Sequence, residues 1–206
     1  MNKHPMLALS FCGLLAITGC NNNDSPQAAD AGPCATIDAI KAARSEAVPF
    51  ASLRSDPVML GDRALDDQFT TNLTLLGKPC QTNVMSGFFG RNVDLYTVSC
   101  TLFEAGVFDY EENAAEAKKL RDEADSLMTQ CLGDSWTKEV TDQSTADAMD
   151  YKIEYIPDGG VQPVNDLTVD AAYVESVFER GSGMRGSQRG WRVLLQFQEA
   201  RPSEEG

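Results

Sequence analysis

Val93-Asp-Leu-Tyr-Thr-Val-Ser-Cys-Thr-Leu-Phe103 alternates side chains in the manner of a long strand with one face buried. Tyr96, Val98, Cys100 and Leu102 fall on one side of that strand and predict its core face. Soon after it the period changes. From Tyr110 to Cys131 the apolar positions are Ala114, Ala117, Leu120, Ala124, Leu127, Met128 and Cys131, a helical stripe with Lys, Arg, Glu and Asp on the other faces. Leu132-Gly133 supplies a C-terminal stop. A strand feeding a charged amphipathic helix predicts a sheet covered by helices on one side.

Outward from this pair the pattern continues. Upstream, Thr36 to Val48 has helical spacing at Ile37, Ile40, Ala43 and Ala47 or Val48 and is ended by Pro49. Phe50-Ala-Ser-Leu53 predicts a turn anchored in the core, and Arg54 to Asp67 reads as a long polar loop, with one short strand at most around Val58 to Leu60. Phe69 to Leu76 and Cys80 to Met85 read as strands, broken by Gly77-Lys78-Pro79 and followed by the turn Gly87 to Asn92. Downstream, Tyr151 to Ile156, Ala172 to Phe178 and Trp191 to Phe197 are further strands, separated by Asp158-Gly-Gly160 and by Gly181 to Gly190. The order is helix, two or three strands, helix, three strands. It predicts an α+β domain, a single antiparallel sheet with two helices on one face. No internal repeat is visible in the residues.

Of six cysteines, Cys34, Cys80, Cys100 and Cys131 fall within this domain. With no Cys-x-x-Cys spacing for metal or redox chemistry, they read as two disulfides stapling the fold. Cys80 and Cys100 are equidistant from Gly90, so a simple hairpin would set them opposite one another at bridging distance. That pairing leaves Cys34 with Cys131. Because Cys131 ends a helix that could fold back onto either strand cysteine, the other two pairings stay open.

The remaining cysteines lie in a segment of different character. Lys3 and His4 precede the apolar run Met6 to Ile17, which is too short to span a bilayer, and Ile17-Thr18-Gly19-Cys20 follows. This sequence resembles the lipobox of bacterial lipoprotein precursors. The resemblance implies removal of a signal peptide at residues 1–19, lipidation of Cys20 and attachment to a membrane through its acyl chains. Asn21 after the cysteine resembles the sorting signal of Gram-negative lipoproteins released to the outer membrane, on its periplasmic or its surface face. Residues 20–33 then read as a lipidated, flexible tether, since Asn21 to Pro33 has no large apolar residue with which to build a core. Residues 34–206 form the expected single domain.

Composition restricts the chemistry of that domain. The chain carries a formal charge of −14, and loss of Lys3 with the signal makes the exported form one unit more acidic. Such a surface repels phosphate backbones, so nucleic acid is not an expected partner. His4 is the sole histidine and leaves with the signal, which removes the imidazole needed by nucleophile pairs and typical zinc sites. Carboxylates such as Asp62, Asp66, Asp67, Asp109, Glu111 and Glu112 follow from the acidity alone and read as solvated. Asp62, Asp66 and Asp67 lack the central glycine of a calcium-binding EF-hand loop. Gly181-Ser-Gly183-Met-Arg-Gly186 spells a dinucleotide-binding motif, yet a strand rather than a helix is expected after it. The Arg180, Arg185, Arg189 and Arg192 cluster is the basic exception on an acidic chain, a candidate contact for an anionic partner.

The expectation is therefore a non-enzymatic envelope lipoprotein with no cofactor or metal, acting through a protein partner in an assembly or structural role. The alternative is a module binding a small ligand, carbohydrate or cell wall, or a carboxylate-dependent hydrolase, which calls for a deep pocket with convergent carboxylates. Replacing Cys20→Ser should abolish incorporation of labelled palmitate and leave unprocessed precursor on a gel.

Overall fold

The computed structural model describes residues 32–145, 148–179 and 190–203. The elements in chain order are α1 (Ala35–Arg44), β1 (Pro57–Leu60), β2 (Arg63–Leu75), β3 (Lys78–Met85), β4 (Val93–Ala105), α2 (Tyr110–Leu132), β5 (Trp136–Asp142), β6 (Ala148–Pro157), β7 (Ala172–Glu179) and β8 (Gly190–Pro202). The strands form one eight-stranded antiparallel sheet in the order β1-β2-β3-β4-β8-β7-β6-β5. Two helices pack on one face, giving the α+β architecture that the alternating and helical periods predict. The topology also repeats: a helix and a four-stranded meander occur twice, and the last strands of the two halves, β4 and β8, pair at the centre. That repeat is of topology, and the residues do not announce it.

Alternation sets the core. Val98, Cys100 and Leu102 of β4, Val193, Leu195 and Phe197 of β8, and Val174 and Phe178 of β7 are buried on the same side as Ile37 and Ile40 of α1 and Ala117, Ala124 and Met128 of α2. A bulge between Thr101 and Phe103 brings Phe103 as well as Leu102 to this side. On the opposite side, Val93, Leu95 and Ala200 form a smaller cluster with Val169, against which Val161, Val164 and Leu167 of the β6–β7 connection pack. That connection therefore folds over one end of the second face.

Three elements differ from expectation. The first helix ends at Arg44 rather than Val48, after which the chain bends so that Phe50, held at φ 60° by a bond from its N–H to the Ala43 carbonyl, drops into the core. The stretch Arg54 to Asp67 is β1 and the first part of β2, joined across Leu60 and Arg63 by a Gly61-Asp62 turn. As an outer hairpin it buries little, so its residues carry no clear alternation. The segment Trp136–Asp142 is a strand, β5, which the sequence reading omitted. It lies at the sheet edge with every residue after Trp136 exposed, and selection for a buried face is absent there.

Gly77-Lys78-Pro79 does not separate two strands by a loop. Leu76 and Gly77, at φ 49° and 74°, make the two-residue turn of a hairpin, and Lys78 already pairs with Leu75.

Both disulfides take the pairing that hairpin geometry favours. Cys80 and Cys100 are direct cross-strand partners on β3 and β4, 4.2 Å apart at Cα, and Cys34 before α1 joins Cys131 in the last turn of α2. The first bond lies within one meander, whereas the second ties the helix of one half to that of the other. The loops closed span 20 and 97 residues. In the chain-entropy model these contribute about 3 and about 4–5 kcal/mol. Replacing Cys34 and Cys131 together by Ala should therefore lower unfolding free energy more than replacing Cys80 and Cys100, as read by urea titration.

Candidate functional site

The face of β6, β7 and β8 turned away from the helices carries the densest charge network among the described residues. Ile153 and Tyr155 point into the helix-side core, so Lys152 and Glu154 must project from the other side, and the same alternation places Tyr173, Glu175, Arg192, Leu194 and Gln196 there. Lys152 stands opposite Glu175 in the ladder, and Glu154 opposite Tyr173. Asp170, just before β7, closes the group from the side.

Lys152 Nζ lies 2.6 Å from Asp170 Oδ2, 3.9 Å from Glu154 Oε2 and 4.9 Å from the centre of the Tyr173 ring. Arg192 Nη2 reaches Glu175 Oε2 at 3.4 Å. One ammonium thus serves two carboxylates, while Glu139 of β5 sits directly across from Glu154. Partial burial, followed by the charges of Asp170 and Glu139, holds the Glu154 carboxyl above its usual range despite Lys152. Burial, reinforced by Glu175 and Asp170, also raises the Tyr173 phenol, which stays protonated. The arrangement is an excess of negative charge held rigidly on strands, suited to contacting cations or hydrogen-bond donors.

A second network lies beneath α2. Asp125 Oδ1 accepts hydrogen bonds from Tyr155 Oη at 2.8 Å and Lys138 Nζ at 2.9 Å, fastening the helix to β5 and β6. Burial first, then Asp125, push the Tyr155 phenol far up, so it acts as a donor. Arg121, almost buried, lies 4.0 Å over the Tyr151 ring and bonds to Asp122. These contacts hold two layers together.

A cavity of about 380 Å³ opens where α1 meets the β6–β7 connection and the end of β8. Its one carboxylate, Glu199, is clasped by Arg44 at 2.8 Å and Arg201 at 3.0 Å, and Arg44 also donates to the Gln198 carbonyl. With one carboxylate held between two guanidinium groups, this lining has no pair of convergent carboxylates for hydrolysis.

Asp62 lies in the β1–β2 turn, while Asp66 and Asp67 fall where the register of β2 against β1 shifts and both line an open cavity of about 640 Å³ with Arg63, Val84 and Ser86. Asp109 precedes α2, and Glu111 and Glu112 occupy its first turn. Among the described residues no three His, Cys, Asp or Glu side chains come together to hold a metal, and no helix is long and apolar enough to cross a membrane. Arg192 is a strand residue paired with Glu175, while Arg180, Arg185 and Arg189 lie outside the described residues, as do Cys20 and the glycines of the Gly181 to Gly186 motif. The flanking residues Glu179 and Gly190 pair antiparallel, so strand follows strand across that motif. Lys152, Glu154, Asp170, Tyr173 and Glu175 were not singled out in the sequence. The alternation of Tyr151 to Ile156 was the available signal, since it marks Lys152 and Glu154 as a charged face of a strand. Comparison of the chain with protein-family models, curated proteins and solved structures yields no match.

A carboxyl raised in the fold binds its proton more tightly there than in the unfolded chain. Stability from Glu154 is thus present below the ordinary Glu pKa and lost as pH rises through the folded value. Glu154→Gln should raise the melting temperature at pH 7 by about 2 °C, the scale of relieving one like-charge cross-strand pair. The gain should shrink as pH falls below the ordinary Glu range, where the carboxyl is protonated in the folded and the unfolded chain alike.

Proposed function

We propose that the chain is an outer-membrane lipoprotein of the envelope, cut before Cys20 and anchored through lipid on that cysteine, whose domain serves as a non-enzymatic protein-interaction module. The observation that carries the reading is the sheet face opposite the helices. It is covered at one end by the β6–β7 connection and elsewhere presents Gln81, Thr101, Glu104, Asp150 and Glu139 to solvent around the Lys152 and Glu175 network. Strands with satisfied ladders hold such groups in fixed positions, which lowers the ordering cost of binding a protein partner. Two disulfides support an oxidising compartment outside the cytoplasm. The lipobox-like Ile17-Thr18-Gly19-Cys20 supports the anchor.

The face is tested by placing a photo-reactive amino acid at Thr101 or Glu104, with Glu123 on the exposed side of α2 as control, in cells making the full chain. Discrete protein adducts are expected from the two sheet positions and not from Glu123. Absence of adducts at the sheet, or equal labelling at all three positions, would refute the assignment.

A further inference from the structure

The two edges of the sheet are unlike. β1 is four residues long, begins with Pro57, which has no N–H to donate, and is bulged between Pro57 and Met59, features that discourage a further strand. β5 at the other edge runs for seven residues, about 23 Å, without proline or an irregularity in its pairing to β6. Bonds from Gln143 N to the Asp150 carbonyl and from Asp158 N to the Ser135 carbonyl show that odd-numbered residues here face β6. By alternation the N–H and C=O groups of Lys138, Val140 and Asp142 point outward from the sheet. Val140 is also 51% exposed, one of the large apolar residues left uncovered.

We propose that β5 pairs antiparallel with β5 of a second copy of this chain, with the two-fold axis at Val140, to make a continuous sheet across a symmetric dimer. In that register Val140 meets Val140, Lys138 meets Asp142, and Asp142 meets Lys138. Each of these three pairs exchanges two main-chain hydrogen bonds through the outward groups. The side chains select the register. Centring the axis on Lys138, Glu139 or Asp142 sets like charges directly opposite, which opposes pairing, and centring it on Thr141 puts Val140 against Asp142. Only the axis at Val140 joins unlike charges twice and closes the apolar side chain on its own copy. Hydrogen bonds from Ser144 hold the Asp142 carboxyl below the usual range, which favours its charged form. Lys138 keeps its amine 2.9 Å from both carboxylate oxygens of Asp125, with its side chain 42% exposed. The surface is self-complementary, as an isologous contact requires, and the inference stands on this edge alone, independent of the lipid anchor.

The test uses the full chain in its own membranes. A hydrogen-bonded antiparallel pair places Cα atoms about 5.5 Å apart, within the span of a disulfide. Under mild oxidation Val140→Cys should give a covalent homodimer on a non-reducing gel, above the background of the unaltered chain, and Met59→Cys on β1 should not. Asp142→Lys in the Val140→Cys background should lower the dimer yield about tenfold, and adding Lys138→Asp should restore it, which a merely damaged fold would not do. A Val140→Cys chain that forms no dimer above background, that couples to a different protein, or whose dimer is indifferent to Asp142→Lys would overturn the proposal.

Discussion

The antiparallel seam between β4 and β8 is the contact on which the rest of the molecule depends. It runs from Val93 opposite Pro202 to Ala105 opposite Trp191 and joins the two meanders into one sheet. Because both strands are central, their side chains supply the floor of the helix-side core and, at one end, the smaller cluster on the other side. Gly190 shows how tight the seam's end is: a Cβ there would come within 2.1 Å of the Ala105 carbonyl oxygen, so the glycine is required for β8 to enter the ladder beside β4.

The seam also divides two kinds of surface. Toward the helices, hydrophobic burial dominates; Tyr155 and Asp125 satisfy one another there, while Thr82 Oγ1 and Trp191 Nε1 are buried without a hydrogen-bond partner. Away from them, Lys152, Glu154, Asp170 and Glu175 meet with fewer positive than negative charges, and the raised Glu154 carboxyl records that imbalance. Beside the cavity under α1 the balance is reversed, with Arg44 and Arg201 both on the single carboxylate of Glu199.

The class of fold was legible because its central elements are strongly periodic. Val93 to Phe103 and Tyr110 to Cys131 each bury one face, and burial is what writes a pattern into a sequence. The edges were illegible for the same reason. β5 is exposed nearly throughout, and β1 with the start of β2 covers little, so neither alternates. Cys80 and Cys100 could be paired from symmetry about Gly90, since a hairpin is local geometry. The charged face was harder: Lys152 and Glu154 are ordinary residues in an acidic chain until register brings Asp170, Glu139 and Tyr173 beside them. The duplication of topology was invisible because α1 and α2 differ so much in length, at 10 and 23 residues.

The placement of the Cys34 to Cys131 bond bears on the order of assembly. Within each meander, neighbouring strands follow one another in the chain, so their hairpins close short loops and form early. The seam joins residues about a hundred positions apart, as from Val93 to Pro202, and its closure is the slow search. Until then β4 and β8 are open edges. Cys131 is made well before β8 in chain order, and its bond to Cys34 already draws the second helix onto the first half. Oxidation at this pair therefore turns a long search into a shorter one, and in a reducing environment the two halves would spend longer with their inner strands exposed to neighbours.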